Sequence, residues 1–385
     1  MKVAVLGLRG IPDVPGGIET HAQHLYPRLV DRGCKVVLFT RRPYVDAELT
    51  HWKGVQLRSL ACPRQKFLEA IWHSFRAVLA ARAEDPDIVH VHAIGPSLVV
   101  PFARFLGMRV VMTHHGPDYE RKKWGWAPKQ VLRLGEWCAK RWAHQIICVA
   151  PHIADAIRLS SRSEPVVIPN GVDIPQNETG EEALDRFGLT KGRYMLAVGR
   201  FVPEKGFHHL VEAFARLSAD ARIRGAGWKL ALVGSADHED AYSRRLVAAA
   251  EATPGVILTG YQTGRALAQL LSHAGMFVLP STYEGLPIAL LEAMSYGLSC
   301  LATDISANRA AGLALERLFS PDDAAALAQS LEKFLSSPMT RNESQAQVEH
   351  IRERFNWDAI ADRTLAVYRL MMRQSIRSPR QYVSG

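Results

Sequence analysis

Two glutamates, Glu284 and Glu292, frame a stretch that asks for a chemical explanation. Met276 to Leu279 reads as a buried strand, Pro280 to Thr282 as a turn, and Ile288 to Tyr296 as a helix with Pro287 in its first turn. That helix is apolar nearly all round and should be buried. Yet it carries Glu292, and a buried glutamate needs a partner. Two carboxylates could act as acid and base in glycoside cleavage. These two come from one loop and its own helix, so they could not flank a sugar from opposite sides. Accepting hydrogen bonds from vicinal hydroxyls suits them better, while the helix start at Gly285, Leu286 and Pro287 would face a phosphate. The plain alternative is a surface Glu284 and a Glu292 paired with a buried arginine.

Arg200 and Lys205 form a second cluster, on the loop between the strand Tyr194 to Gly199 and the helix from Gly206. Two cations there could hold a diphosphate, the arginine by its planar fork and the lysine as a point charge. A solvated loop with Glu204 as partner is the rival reading. Gly16 and Gly17 end a loop after the first strand and open a helix, so their bare amides could meet a phosphate. They could equally serve a tight turn, and Gly7-x-x-Gly10 is neither a dinucleotide fingerprint nor a P-loop. His114 and His115 follow the strand Arg109 to Thr113, where a histidine can donate to a substrate or act as base. No residues near them have metal-ligand spacing.

Positioning these groups requires alternating strands and helices, and the chain supplies them. In the first half, strands are expected at Val3–Leu6, Lys35–Thr40, Val55–Arg58, Asp87–His92, Arg109–Thr113 and Gln145–Ala150. Helices are expected from Ile18, with Pro27 disturbing it, over the amphipathic set Phe67, Leu68, Ile71, Trp72, Phe75, Val78 and Leu79, at Pro96–Leu106 and at Pro128–Trp142. The second half repeats the pattern from Tyr194 to Thr303. Short apolar strands alternating with helices imply parallel sheets covered on both faces. Two such runs imply an α/β protein of two Rossmann-like, doubly wound domains, with a polar linker between about Val166 and Lys191. Ligands bind outside the carboxyl ends of such strands, and each loop singled out follows a strand. The site is therefore expected in a central cleft between the domains.

A chain of 385 residues exceeds one ordinary core, and a 48% hydrophobic content excludes a disordered chain. The net charge of +9 is concentrated in residues 1–165, which hold 24 Lys and Arg against 14 Asp and Glu. That half should attract an anionic partner. Five cysteines without C-x-x-C spacing suggest reduced thiols, with no disulfide frame and no zinc site. Val3–Leu8 is too short for a signal peptide, and the apolar window Ile94–Met112 carries Arg104 and Arg109, against a spanning helix.

Glu284 and Glu292 within Pro280-Ser281-Thr282-Tyr283-Glu284-Gly285-Leu286-Pro287-Ile288-Ala289-Leu290-Leu291-Glu292, together with the other motifs, resemble the family-four retaining glycosyltransferases of the GT-B fold. Val198-Gly199-Arg200 through Lys205-Gly206, Ile168-Pro169-Asn170-Gly171-Val172-Asp173, Gly16-Gly17-x-Glu19 and Phe355-Asn356-Trp357-Asp358 match that pattern in order. The early loop is most similar to bacterial members that build exopolysaccharide, capsule or O-antigen. The resemblance implies an N-terminal acceptor-side domain over 1–175 and a C-terminal nucleotide-sugar-binding domain over 190–355. It also implies a helix at 356–372 crossing back to the first domain. Arg200 and Lys205 would bind the donor diphosphate, with the Gly16 and Gly17 amides approaching it from the other domain. Glu284 would contact the transferred sugar, Glu292 the ribose, and His115, or its neighbour His114, would lie beside the sugar. No cofactor and no metal is expected; the nucleotide sugar is a substrate.

Cations interleave with tryptophan at Arg121-Lys122-Lys123-Trp124-Gly125-Trp126, then at Lys129, Arg133, Trp137, Lys140, Arg141 and Trp142. Arg64, Lys66, Trp72 and Arg76 add to the set. The pattern fits an anionic membrane surface or single-stranded nucleic acid; Trp137 and Trp142 could instead face the core. With the resemblance, the expectation is a cytoplasmic enzyme, peripheral on the inner membrane face, with a saccharide or lipid-diphosphate-linked acceptor and no nucleic-acid partner. Three rivals are a nucleotide-sugar epimerase of the same fold, a nicotinamide oxidoreductase, which would need the missing G-x-G-x-x-G, and a non-catalytic nucleotide-sugar, nucleic-acid or anionic-surface binding protein.

Overall fold

The computed structural model describes residues 1–63, 68–121, 125–175, 178–219, 225–236 and 239–376. Arg64, Lys66, Phe67, Lys122, Lys123 and Trp124, which the sequence singles out, lie outside the described residues. The chain divides into two compact units, one of residues 1–120, 125–170 and 357 onward, the other of 171–356 with the short piece that begins at Arg121.

In the first unit, eight strands form one sheet: β1 (Lys2–Leu6), β2 (Lys35–Arg41), β3 (His51–Trp52), β4 (Val55–Leu60), β5 (Ile88–His92), β6 (Val110–His114), β7 (Gln145–Cys148) and β8 (Val166–Val167). Their order is β3-β4-β2-β1-β5-β6-β7-β8, and every pair is parallel except β3 with β4. β5 and β6 are buried at every position, which is why their sequences run apolar without alternation. Strand order reverses between β1 and β5, so the loops after those two strands diverge at a switch point. Helices α1 (Gly17–Asp31), α2 (Leu68–Ala83), α3 (Val100–Phe105), α4 (Trp126–Trp142) and α5 (Pro151–Arg158) complete the main part of this unit. Helix α1 runs through Pro27, and the Arg28 Nη1 donates to the His24 carbonyl at 2.9 Å one turn back.

The second unit holds β9 (Tyr194–Val198), β10 (Lys229–Val233), β11 (Val256–Gly260), β12 (Met276–Leu279), β13 (Cys300–Thr303) and β14 (Leu318–Phe319). All pairs in its order β11-β10-β9-β12-β13-β14 are parallel, and the reversal falls between β9 and β12. Its helices include α6 (Glu182–Phe187), α7 (Phe207–Ser218), α8 (Ala241–Glu251), α9 (Gly264–His273), α10 (Ile288–Ser295), α11 (Ser306–Ala310), α12 (Ala324–Ser336) and α13 (Arg341–Arg354).

The last helix, α14 (Trp357–Ile376), packs in the first unit. Trp357, Ile360, Ala361, Leu365 and Tyr368 share one core with Ala22, Leu25, Tyr26 and Leu29 of α1. The Trp357 ring stacks on His24 at 5.4 Å between centroids, and Arg32 bridges to Asp358 at 3.1 Å and Asp362 at 2.6 Å. Losing a buried aromatic of that size costs about 3–5 kcal/mol, whereas the exposed ion pairs add at most about 1 kcal/mol each.

Two expectations about helices change. On α2, Trp72, Phe75, Arg76 and Leu79 face solvent while His73, Ser74, Ala77, Val78 and Ala81 face inward. The apolar positions that mark this helix therefore belong partly to its outer face. Trp137 is 51% exposed on α4, so it does not face the core; it meets Trp142 edge-on at 4.8 Å. All five cysteines are free thiols.

Candidate active site

In the second unit, the loops after β9 and β12 meet at the strand-order reversal, and the predicted phosphate and hydroxyl binders sit on them. Lys205 lies in the short 3-10 turn Pro203–Lys205, and its Nζ pairs with Glu284 Oε1 at 2.6 Å. Both side chains are largely but not wholly shielded, 17% and 13% exposed, so water or a ligand still reaches them. Thr282 N–H donates to the Glu204 carbonyl at 2.9 Å, which stitches the two loops together. Gly206, next to Lys205, has φ +66, and a Cβ there would stand 2.1 Å from the Pro280 carbonyl oxygen. Only glycine allows this close approach. Arg200, at the end of the β9 strand run, is half-buried on the same loop.

Helix α10 starts from the β12 loop. Pro287 is its cap, with ψ 107, and not part of its first turn as the sequence suggested. Leu290 and Leu291 give the first amide bonds, both to the Pro287 carbonyl at 3.2 Å, so the amides before them point out of the helix start. Buried Ile288, Leu290, Leu291, Ala293 and Met294 anchor the helix. Ala289, Glu292 and Tyr296 form its one half-buried strip. Burial, with the Glu292 carboxylate and then Glu178 beside it, pushes the Tyr296 hydroxyl up to about 12. Glu292 thus stands on the half-buried strip of the helix, while Glu284 stands on the loop that leads into it.

In the first unit, the loop after β1 is held by a buried staple. Glu19, 6% exposed, accepts from the Arg9 backbone N–H and from Arg9 Nε, both at 3.1 Å, and Arg9 Nη2 donates to the Pro15 carbonyl. Gly16 has φ +146, and a Cβ there would lie 2.2 Å from Glu19 Oε2, so the staple itself demands glycine. Gly17 opens α1 into empty space, with nothing within 4 Å of a built Cβ.

The adjacent histidines part company. Gly116 N–H donates to His114 Nδ1 at 3.1 Å, so His114 carries its proton on Nε2 and gives it to Glu136 Oε1 at 3.1 Å. Tyr119 and Lys140 also donate to Glu136, at 3.2 Å and 3.1 Å. Burial raises the Glu136 carboxyl, but the bonds from His114 and Lys140 outweigh it and leave the group below its ordinary value. His114 is 1% exposed and spent on this network. His115 is half-buried and turns to His92, Nε2 to Nδ1 at 2.9 Å.

Sequence reasoning missed two residues here. His92 ends β5 and His21 lies on α1, and both point at His115: the His21 and His115 rings meet edge-on at 5.1 Å, and those of His92 and His115 stack at 5.2 Å. Behind them His92 Nε2 meets the Tyr26 hydroxyl, and Tyr26 reaches His90 Nδ1 at 3.0 Å. His90 Nε2 ends the row at Thr113 Oγ1, 2.7 Å away. Burial lowers the pKa of every imidazole in this row, that of His21 to about 4 and that of His90 to about 3. They are neutral at pH 7. Metal-ligand spacing is read along a chain, and these three come from a helix, a strand end and a loop. The available signal was His92 and His115 at or just past the carboxyl ends of the neighbouring strands β5 and β6; nothing in the sequence pointed to His21 on α1.

Comparison with known proteins agrees with this architecture. The profile of the family described as Glycosyltransferase Family 4 matches residues 15–176, and that of Glycosyl transferases group 1 matches 181–354. A glycogen synthase of Mycobacterium tuberculosis is 26% identical over 420 aligned positions, covering 98% of this chain and 97% of that protein. A galactosyltransferase of Escherichia coli, UDP-Gal:alpha-D-GlcNAc-diphosphoundecaprenol alpha-1,3-galactosyltransferase, is 27% identical over 59% of this chain and 60% of its own length. Among solved structures, Anabaena HepE in complex with UDP and glucose superposes with a TM-score of 0.79 at 19% identity, covering 96% of this chain and all of that one. With both profiles matched in order on two parallel-sheet α/β units, the chain belongs to the GT-B glycosyltransferases of the family 4 and group 1 type.

Proposed function

We propose that this glycosyltransferase moves a sugar from a nucleoside-diphosphate donor to a saccharide acceptor with retention of anomeric configuration and without a catalytic metal. The observation that carries the reading is the Lys205–Glu284 pair at 2.6 Å, set at the strand-order reversal beside Arg200 and the open start of α10. Breaking a glycosyl phosphate bond leaves negative charge on the diphosphate and positive charge at the anomeric carbon. Arg200, Lys205 and the first-turn amides of α10, near Gly285, Leu286 and Pro287, take the first charge by preorganised donation. Glu284 accepts from hydroxyls of the transferred sugar, and Glu292, fixed by α10, from the ribose. With both glutamates so engaged, neither is left to attack the anomeric carbon. The acceptor attacks from the face the diphosphate leaves, and a phosphate oxygen takes its proton.

Gly17 supports a phosphate role for the first loop. Gly16 is fixed by the Arg9–Glu19 staple, but empty space surrounds a Cβ at Gly17, so packing gives no reason for glycine there. A ligand brought close to the α1 amides does. His115, the half-buried member of the pair, is the histidine that meets the sugar, since His114 is committed to Glu136.

The surface of the first unit supports a reading of the acceptor. Trp72, Phe75 and Leu79 on α2 and Trp126, Leu134 and Trp137 on α4 are exposed, with Arg76, Arg133 and Arg141 beside them. Helices with outward tryptophan and arginine favour an anionic bilayer surface. No described helix is long and apolar enough to cross a membrane. The Escherichia coli relative acts, by its name, on a diphosphoundecaprenol-linked sugar. A lipid-diphosphate-linked saccharide, met at the inner face of the cell membrane, fits both facts. Glu284→Ala tests the reading: transfer from the nucleotide sugar should fall by about 100-fold or more while the fold persists, and full activity in that variant would overturn it.

A further inference from the structure

His21, His92 and His115 present one nitrogen each, all within 4.8 Å of one another. His21 Nδ1 lies 3.0 Å from Asn170 Oδ1, which can only accept, so the ring proton sits there. Nε2 therefore carries a lone pair. It is buried, and it has no hydrogen-bond partner. His92 is held from behind as well, its Nε2 against the Tyr26 hydroxyl and its Nδ1 turned toward His115. An imidazole whose far nitrogen is fixed by an amide or hydroxyl oxygen is the arrangement that orients a metal ligand. His115, half-buried, leaves a way in.

We propose that this pocket binds one late first-row divalent cation of the zinc type through His21 Nε2, His92 Nδ1 and His115 Nε2. Three imidazoles select zinc, copper or nickel over magnesium and calcium, which prefer oxygen. Bonds of about 2.0–2.1 Å at tetrahedral angles set the nitrogens about 3.4 Å apart, so small ring rotations close the set. The His115 proton moves from Nε2 to Nδ1, and all three rings stay neutral, so binding needs no co-reactant. The fourth position is left for water. This cation is separate from the diphosphate chemistry, which Arg200 and Lys205 serve. Its consequence rests on the role proposed for His115: a coordinated His115 no longer meets the sugar, so the cation inhibits transfer.

Titration of the full chain with Co(II), followed by Zn(II), tests this directly. The expected result is one equivalent of Co(II) with the intense visible absorption of a tetrahedral site, displaced by one equivalent of Zn(II). His21→Gln and His92→Gln, each checked by its melting curve, should weaken binding at least about 100-fold by removing one of three ligands. No tetrahedral spectrum, or equal binding in the wild type and a folded variant, would overturn the site. Transfer assays separate the two claims. Inhibition by saturating Zn(II), reversed by a chelator, supports both; stoichiometric binding without inhibition keeps the site and rejects the role of His115.

Discussion

Glu284 and Lys205 pair at 2.6 Å, so the protein itself positions the two groups proposed to meet the donor. Removing the carboxylate leaves Lys205 in place but takes away the proposed sugar contact. Glu284→Ala should lower kcat/KM by about 100- to 1000-fold, a loss typical of a preorganised polar group, with little change in Tm. Arg200→Ala should act chiefly on donor KM, by about 10- to 100-fold for one charge-assisted contact. The histidines are expected to divide in the opposite sense. His115→Ala should depress kcat and spare the fold, whereas His114→Ala strips a donor from buried Glu136 and should cost about 1–3 kcal/mol of stability. Steady-state kinetics and melting curves for both variants check this. The chain showed that a histidine pair ends a strand. It did not show which one is tied up in the structure, because that depends on Glu136, two elements away on α4.

At the scale of elements, the β9 and β12 loops work as one piece. Gly206→Ala would press a Cβ against the Pro280 carbonyl at φ +66, so it should destabilise the chain by about 2 kcal/mol or more and weaken donor binding with it. Calorimetry with and without nucleotide reads both effects. Helix α2 makes a different point. Its periodicity was legible, but its orientation was not, since Ala77, Val78 and Ala81 face inward while larger Trp72, Phe75 and Leu79 face out. Hydrophobic spacing tells where a stripe lies; it does not tell whether protein or membrane covers it. Trp72→Ser together with Trp126→Ser should reduce flotation with anionic vesicles at low salt by several-fold and leave Tm within about 1 °C, because exposed substitutions scarcely alter folding. Helix α13 escaped the reading for the opposite reason: Ile351 is its one buried residue, so it has no apolar stripe to find.

Across the whole molecule, the longer strands of both sheets were legible, because fully buried strands write themselves as short apolar runs between helices, whereas the two-residue β3, β8 and β14 were not. The histidine row was not, because β1, β5 and β6 become neighbours only through the strand order. Buried neutral histidines also weaken the fold in acid. Burial, and then Arg41, lowers the pKa of His73 from 6.5 to about 3. Below pH 6.5 the unfolded chain takes up a proton that the folded chain refuses, so stability falls as pH drops from about 6.5 toward 3 and is complete above that window. The loss is roughly 1 kcal/mol per pH unit for each such group. His73→Gln should flatten the Tm profile between pH 6.5 and 5 relative to the wild type.

The central claim is that a nucleoside-diphosphate sugar binds at Arg200, Lys205, Glu284 and Glu292. A thermal-shift screen of UDP-, GDP- and ADP-sugars measures it most directly, because a ligand at 100 times its Kd stabilises the folded chain by about 2.7 kcal/mol. One donor should raise Tm by several degrees in the wild type, and the rise should disappear in the Arg200→Ala, Glu284→Ala double variant. No shift with any donor, or the same shift in that variant, would contradict the account.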